Sequence, residues 1–438
     1  MTTADPIDVS VFEQLAAADL DPTAAFAARM DAADPLARFR DRFLIPTGPD
    51  GVPVAYFVGN SLGLQPRDAR TLVDEVMDDW AALGVDGHFD ASRPWYPYHE
   101  NLRDGLARVV GGHPHEVVAM NSLTVNLHLL LMSFHRPEGE RRVILMEDGA
   151  FPSDTYAVTS HVAARGGDPD HDVVRIAPRP GEDLLRTEDI VAEIDRLGDR
   201  LSTVMLGGVN FRTGQLLDMP AITAAGHAVG ATVGFDLAHA AGNAPLALHD
   251  WQVDYAAWCS YKYLNGGPGA IAGAFVHERH ATNLDLPRFA GWWGNDPDTR
   301  FRMHLEDRFV PVATADAWQL SNPPILAMAP LVASLALFSE AGMTALRAKS
   351  RALTGFLHVC LQDALPDDAT IVTPSNAEER GCQLSVRLAG DARARFERLA
   401  PRGVIADFRP PDLVRLAPVP LYSTFADCLH AAEALRDA

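Results

Sequence analysis

Two segments of the chain close apolar runs with residues that can do chemistry. Gly234-Phe235-Asp236-Leu237-Ala238-His239 ends one run in a carboxylate, with an imidazole three residues on. A second apolar run, 26 residues after Asp236, ends in Ser260-Tyr261-Lys262. Lysine is scarce: of 37 basic residues only Lys262 and Lys349 are lysine, so chemistry that needs a primary amine has two candidates. A carboxylate and an amine at the ends of consecutive strands suit pyridoxal phosphate. The amine binds the aldehyde carbon, and the carboxylate keeps the pyridine nitrogen protonated so that the ring can withdraw electrons. The alternative is a solvated strand-end lysine and an Asp helix cap, and the arginine-rich background weighs against it. Lys349, in Leu346-Arg347-Ala348-Lys349-Ser350-Arg351, reads as the solvated face of a basic helix.

Other motifs carry less. Gly59-Asn60-Ser61-Leu62-Gly63 fits the G-x-S-x-G nucleophile elbow of serine hydrolases. That elbow normally follows several strands, and the residues ahead of it here are mostly helical by pattern, so a glycine turn is the simpler reading. His113-Pro114-His115 and His277-Glu278-Arg279-His280 lack the spacing of metal motifs. Both read as satisfied or solvated histidines, and no metal site is expected. Leu123-Thr124 opens a helix whose free N–H groups could take a phosphate, although most such caps bind nothing. The cysteines, Cys259, Cys360, Cys382 and Cys428, show no CxxC spacing and suggest neither disulfides nor zinc.

Strand–helix alternation must position these residues. Apolar runs at Val143–Met146, Val173–Ile176, Thr203–Val209, Thr232–Phe235, Ala256–Ser260 and Ala270–Val276 read as strands. Helices are expected over Arg67–Leu83, Thr124–Phe134, Ser153–Ala164, Glu188–Leu197 and Pro220–Val229. This spacing implies an α/β fold with a mainly parallel central sheet covered by helices, which binds ligands beyond the carboxyl ends of its strands. Residues 9–44 read as short acidic helices. After Pro324 come a long apolar helix containing Pro330, a helix over Arg347–Asp363, and strands near Ile371, Gln383–Val386 and Val404–Asp407. The expected division is an N-terminal segment 1–55 packing with the small domain, a cofactor domain 56–325, and a small α+β domain 326–438. The 438 residues carry 58 acidic against 37 basic side chains, net −21, which argues against nucleic acid and an anionic membrane surface. The acidic N-terminus lacks the layout of a signal peptide, and a cytoplasmic protein is expected.

Seven ordered motifs resemble the kynureninase family of fold-type-I pyridoxal-phosphate enzymes, within the aminotransferase-like superfamily. They are YFVGNSLGLQP (56–66), LTVNLHLLLMSF (123–134), AFPSD (150–154), GFDLAHAAGN (234–243), WCSYKYLNGGPG (258–269), LSNPPIL (320–326) and RLAPVPLY (415–422). The resemblance implies that Lys262 holds the cofactor and Asp236 bonds its ring nitrogen. Phe151 would stack on the ring, with Pro152, Ser153, Asp154 and His239 beside it. Leu123, Thr124 and Tyr261 would hold the phosphate, and Tyr261 would also move protons. The catalytic set is thus Lys262, Tyr261 and Asp236. Trp292 and Asn322 would come from the second subunit of a homodimer. Arg415 would clamp the substrate α-carboxylate, with Ser61, His88 and Asn322 lining the rest of the substrate site. The implied reaction is hydrolysis of kynurenine or 3-hydroxykynurenine to anthranilate or 3-hydroxyanthranilate plus alanine. The His88/Asn322 pair points to the 3-hydroxy substrate. Tryptophan catabolism and NAD biosynthesis are the implied setting. Gly207 departs from the family, which often places a small hydroxyl residue there. A cysteine desulfurase or aminotransferase on the same fold is the alternative, and a hydrolase using Ser61 is more remote.

Overall fold

The computed structural model describes residues 6–15, 19–305, 307–365, 367 and 369–438. Among these, seven strands form the central sheet: β1 (Val117–Ala119), β2 (Val143–Glu147), β3 (Val173–Ile176), β4 (Leu201–Gly207), β5 (Thr232–Asp236), β6 (Tyr255–Trp258) and β7 (Gly273–Val276). Their order across the sheet is β1-β7-β6-β5-β4-β2-β3. The run from β3 to β6 is parallel throughout, and only β7 opposes its neighbours β6 and β1. The expected mainly parallel sheet is therefore present. Every residue of β2, β6 and β7 is buried, as strands covered on both faces require.

The helices needed below are α1 (Ala24–Ala33), α2 (Ala69–Leu83), α3 (Glu100–Val110), α4 (Leu123–Phe134), α5 (Pro152–Ala164), α6 (Thr187–Leu197), α7 (Met219–Ala228), α8 (Ile325–Ala341), α9 (Met343–Ala364) and α10 (Phe425–Arg436). Helices α5, α6 and α7 each carry the chain to the next parallel strand. From β2 the chain steps outward to β3, then back across to β4, and continues the other way to β5 and β6. A crevice opens where the direction reverses, at the carboxyl ends of β2, β4 and β5.

The second sheet comprises β8 (Ala369–Ile371), β9 (Leu384–Leu388), β10 (Asp407–Arg409) and β11 (Leu413–Leu416), antiparallel in the order β8-β9-β11-β10. The apolar α8 leads into α9 through an 82° bend at Gly342, whose φ of 75° suits glycine. Among the described residues no single helix is long and apolar enough to cross a membrane.

Three expectations need correction. Helix α2 starts at Ala69 rather than Arg67, because Gln65–Pro66 pairs with Phe43–Leu44 and the Arg67 N–H bonds Arg42 O at 2.9 Å. Phe43 and Leu44, read as helical, are strand for the same reason. Lys349 is not solvated: its side chain is 2% exposed and pairs at 2.7 Å with Asp34, itself 3% exposed. Helix α9 is a core helix on which α1 and α10 pack, with Phe26 stacked on Phe356 at 5.2 Å. The charged letters around Lys349 hid that. Part of the 9–44 stretch, residues 16–18, lies outside the described residues.

Candidate active site

Register brings the chemistry together. Gly207 pairs with Asp236 and Asp236 with Ala257, so the ends of β4, β5 and β6 lie side by side, with Glu147 closing β2 nearby. Beyond β6 the chain turns through a fully buried Ser260 to Tyr261 and Lys262. The turn is braced from the other side by Gly63, whose N–H bonds Tyr261 O at 2.8 Å. A Cβ at position 63 would lie 2.4 Å from Lys262 O, so only glycine allows this approach. One cavity at these strand ends is lined by Leu123, Thr124, Phe151, Ser153, Asp154, Asp236, His239, Tyr261 and Lys262, all picked out in the sequence. Pro152, the first residue of α5, is exposed beside it and is not part of the lining.

Lys262 Nζ lies 3.1 Å from His239 Nε2 and 5.8 Å from the centre of the Phe151 ring. Burial, then the charges of Lys262 and Arg415, hold the His239 pKa well below its ordinary value, so the imidazole is neutral and accepts from the amine. Among the described residues its buried Nδ1 has no partner. Phe151 is 41% exposed, an aromatic face left open at the mouth of the cavity.

Three carboxyl groups gather opposite the amine. Asp236 accepts the Ala238 N–H at 2.6 Å and shares a hydrogen bond with Asp154. Burial raises the pKa of both, and Asp154 rises furthest because Asp236 adds its own charge. Glu147, bonded by Asn210 Nδ2 at 3.0 Å, is pushed up to about 7, chiefly by burial. A Cβ on Gly207 would sit 3.0 Å from Glu147 Oε1, so the departure at 207 makes room for this acid. Sequence reasoning missed Glu147. Its signal was present: it ends an apolar strand as Asp236 does, and it stands just ahead of AFPSD.

At the other end of the cavity α4 begins at Leu123, and its N-cap Ser122 makes no side-chain bond to the helix, which leaves the first N–H groups free. Thr124 Oγ1 and Ser153 Oγ meet there at 2.8 Å. Free amides and two hydroxyls make an anion site. Tyr261 hydrogen-bonds Cys259, and burial raises the phenol pKa, so it stays protonated.

Arg415 is fully buried, held by Asp407 at 2.8 Å and by Phe211 O at 2.6 Å. Among the described residues its Nη2 has no partner. Phe211 packs edge-on against Phe151 at 5.3 Å and lines the cavity, whereas Arg415, behind Phe211, is not among the lining residues. Ser61, His88, Trp292 and Asn322 do not line the cavity of the single chain. Ser61 sits in an exposed turn between two short strand pairs, not at a strand-to-helix elbow. His88 packs edge-on against Trp95 at 5.5 Å, Trp292 against Trp293 at 4.8 Å, and Asn322 is exposed. The four cysteines are all buried.

Comparison with known proteins gives a consistent result. The model of the kynureninase C-terminal domain matches residues 346–435. A kynureninase of Koribacter versatilis is 54% identical over 94% of this chain and 97% of its own. One of Myxococcus xanthus is 54% identical over 94% and 96%, and one of Salinispora tropica 56% over 93% and 95%. Among solved structures, a C-DES mutant with glycine covalently linked to its PLP cofactor superposes with a TM-score of 0.75. It is 18% identical and covers 91% of this chain and 99% of that one. The cysteine desulfurase CsdA of Escherichia coli gives 0.73 at 17% identity, covering 91% and 97%. At that identity the two structures speak for the fold alone.

Proposed function

The chain belongs to the kynureninase family, and from that premise we propose that it hydrolyses the Cβ–Cγ bond of 3-hydroxykynurenine, and less readily kynurenine. The products would be 3-hydroxyanthranilate or anthranilate, plus L-alanine. The enzyme class and its pyridoxal phosphate cofactor follow from the family. The residues fit that group. Two facing buried carboxyls, both raised by burial, suit a protonated ring nitrogen, Phe151 offers an open face, and the α4 amides suit an anion. The observation that carries the reading is the convergence of Lys262, Asp236 and Asp154 in one cavity.

When bound, the cofactor supplies an electron sink for charge that develops at the substrate α-carbon. The chain's own residues do the rest. Lys262 anchors the group and takes the α-proton at Nζ, with neutral His239 accepting from the amine when it is free. Asp236, backed by Asp154, keeps a proton on the ring nitrogen. Tyr261, a protonated phenol, donates as water adds to the γ-carbonyl and the bond to the aryl ketone breaks. Arg415 turns its free Nη2 to the α-carboxylate, a task suited to guanidinium. Trp292 and Asn322 would reach the cavity from the partner of a two-fold dimer, with His88 and Ser61 near the aromatic end. We read the chain as a cytoplasmic enzyme of tryptophan breakdown, built of segments 1–55, 56–325 and 326–438. The burial of all four thiols weighs against a desulfurase, which needs a mobile one.

A pocket built to pair with a buried hydroxyl rejects the analogue that lacks it, because its own polar groups are then left unsatisfied. The test is steady-state kinetics on both substrates, following aromatic-amine release and alanine. His88→Trp with Asn322→Thr should erase the preference and keep the yellow absorbance of bound cofactor. A higher kcat/KM for plain kynurenine in the wild type would overturn the preference. Purified protein that is colourless and releases no anthranilate would overturn the whole reading.

A further inference from the structure

At the end of the sheet remote from Lys262, three chain-distant residues meet. Antiparallel pairing sets Phe275 against Val117, so the residue that follows β7, His277, emerges beside the residue that precedes β1, Glu116. His249, from the loop ahead of β6, closes on the same carboxylate. Glu116 Oε1 lies 3.0 Å from His249 Nδ1 and 3.6 Å from His277 Nδ1, and the three ligand atoms fall within 4.8 Å of one another. In a tetrahedral zinc site with metal–ligand bonds of about 2.1 Å, neighbouring ligand atoms stand about 3.4 Å apart.

We propose that Glu116, His249 and His277 bind a divalent transition-metal ion, zinc by the chemistry of two imidazoles and a carboxylate, which staples β1 to β7. Glu116 is fully buried, and its ion-pair partners among the described residues are imidazoles, with neither lysine nor arginine. Its two oxygens are fixed by the Glu278 and His113 N–H groups, each at 2.8 Å, as metal-binding carboxylates usually are. The Arg279 N–H donates to His277 Nδ1 at 3.2 Å, which puts the ring proton on Nε2, where it is buried without a partner among the described residues. With its proton on Nε2, His277 Nδ1 has no hydrogen to give Glu116 Oε1, 3.6 Å away. That arrangement is repulsive until a cation separates them. The Arg279 contact is long and would be given up on binding. The side chain of His249 is 22% exposed, leaving a solvent side for water as the fourth ligand.

A plain hydrogen-bond hub around Glu116 is the competing account, and the two differ in metal uptake. Holoenzyme washed with chelator is titrated with zinc chloride by calorimetry, and with cobalt(II) by absorbance. The wild type should take up one equivalent per chain and gain thermal stability. His249→Gln, whose site is part-exposed, should keep its bound cofactor and kynurenine turnover and bind at least tenfold more weakly. His277→Gln should do the same. Failure of the wild type to bind one equivalent, or wild-type affinity retained in either variant, would overturn the proposal. Neither result touches the reading of the Lys262 cavity, which turnover in the same samples reports separately.

Discussion

At the scale of single residues the Lys262 cavity separates covalent chemistry from electrostatics. Lys262→Ala removes the anchor and the α-proton base together, each typically worth about 10²-fold or more, so turnover should fall by several orders of magnitude. Cofactor should still bind without the covalent link, held by the α4 amides and by Asp236. An absorbance spectrum with a single-turnover assay checks both, and unchanged turnover would discard Lys262. Glu147 makes a different claim. Its folded pKa, about 7, lies above its ordinary value, so the folded state holds this proton more tightly than the unfolded chain does. The stability this contributes is complete below about 4.5 and drains away as pH rises through 7. Glu147→Gln cannot ionise, so between pH 5 and pH 8 it should lose less stability in urea than the wild type. Parallel slopes for the two proteins would show that Glu147 does not titrate in this window.

At the scale of elements, two histidines join neighbouring helices. His135 caps α4, and its Nδ1 meets His161 Nε2 of α5 at 3.0 Å, a contact that holds a single proton between two buried rings. Burial, then His135 itself, pulls the His161 pKa down to about 4, and burial lowers that of His135 as well. A folded histidine pKa below the unfolded one means that stability is present above about 6.5 and is lost as pH falls toward 4. Acid should therefore loosen the α4–α5 pair, which carries Thr124 and Ser153 at the anion end of the cavity. His161→Gln should flatten the fall in urea midpoint between pH 7 and pH 5. A fall as steep as in the wild type would place the acid-sensitive group elsewhere. The elements themselves were largely legible, because period and composition are local. Helix α2 was misplaced by two residues because Pro66 reads equally well as a helix entry or a strand end, and only the distant partner Phe43 decides between them. Helix α3, strands β1 and β11, and helix α10 went unassigned.

At the scale of the whole molecule the Lys349–Asp34 pair ties α1 to α9. Removing one partner of a buried pair leaves an uncompensated charge, so Lys349→Ala should cost about 3–5 kcal/mol, with turnover per folded molecule unchanged. Asp34→Leu with Lys349→Met should recover most of that. Denaturant curves for the three proteins decide, and a silent Lys349→Ala would return the residue to the surface. The proposed shared site predicts complementation as well. A one-to-one mix of Lys262→Ala and Asn322→Ala chains, refolded together, should regain about a quarter of wild-type activity, since two-fold symmetry puts both lesions in one site of each hybrid dimer. Activity no greater than that of the separate variants would mean that each site is built from one chain.

The sequence by itself determined the alternation of strands and helices, the strand-end positions of Asp236 and Lys262, and the motifs that resemble one enzyme family. Each of these depends on the order and type of neighbouring residues, and the scarcity of lysine made one amine conspicuous. Tertiary structure alone decided the rest. Lys349 carries the same letter and a helical pattern like that of a surface residue, yet it is buried, because α1 arrives from more than 300 positions away. Glu147 became part of the site when β4 laid Gly207 beside it. Glu116, His249 and His277 are 133 and 28 positions apart, so no spacing rule connects them. Antiparallel register and one loop bring them within ligand distance. Burial and contact between distant segments are properties of packing, and packing is not written in any short window of the chain.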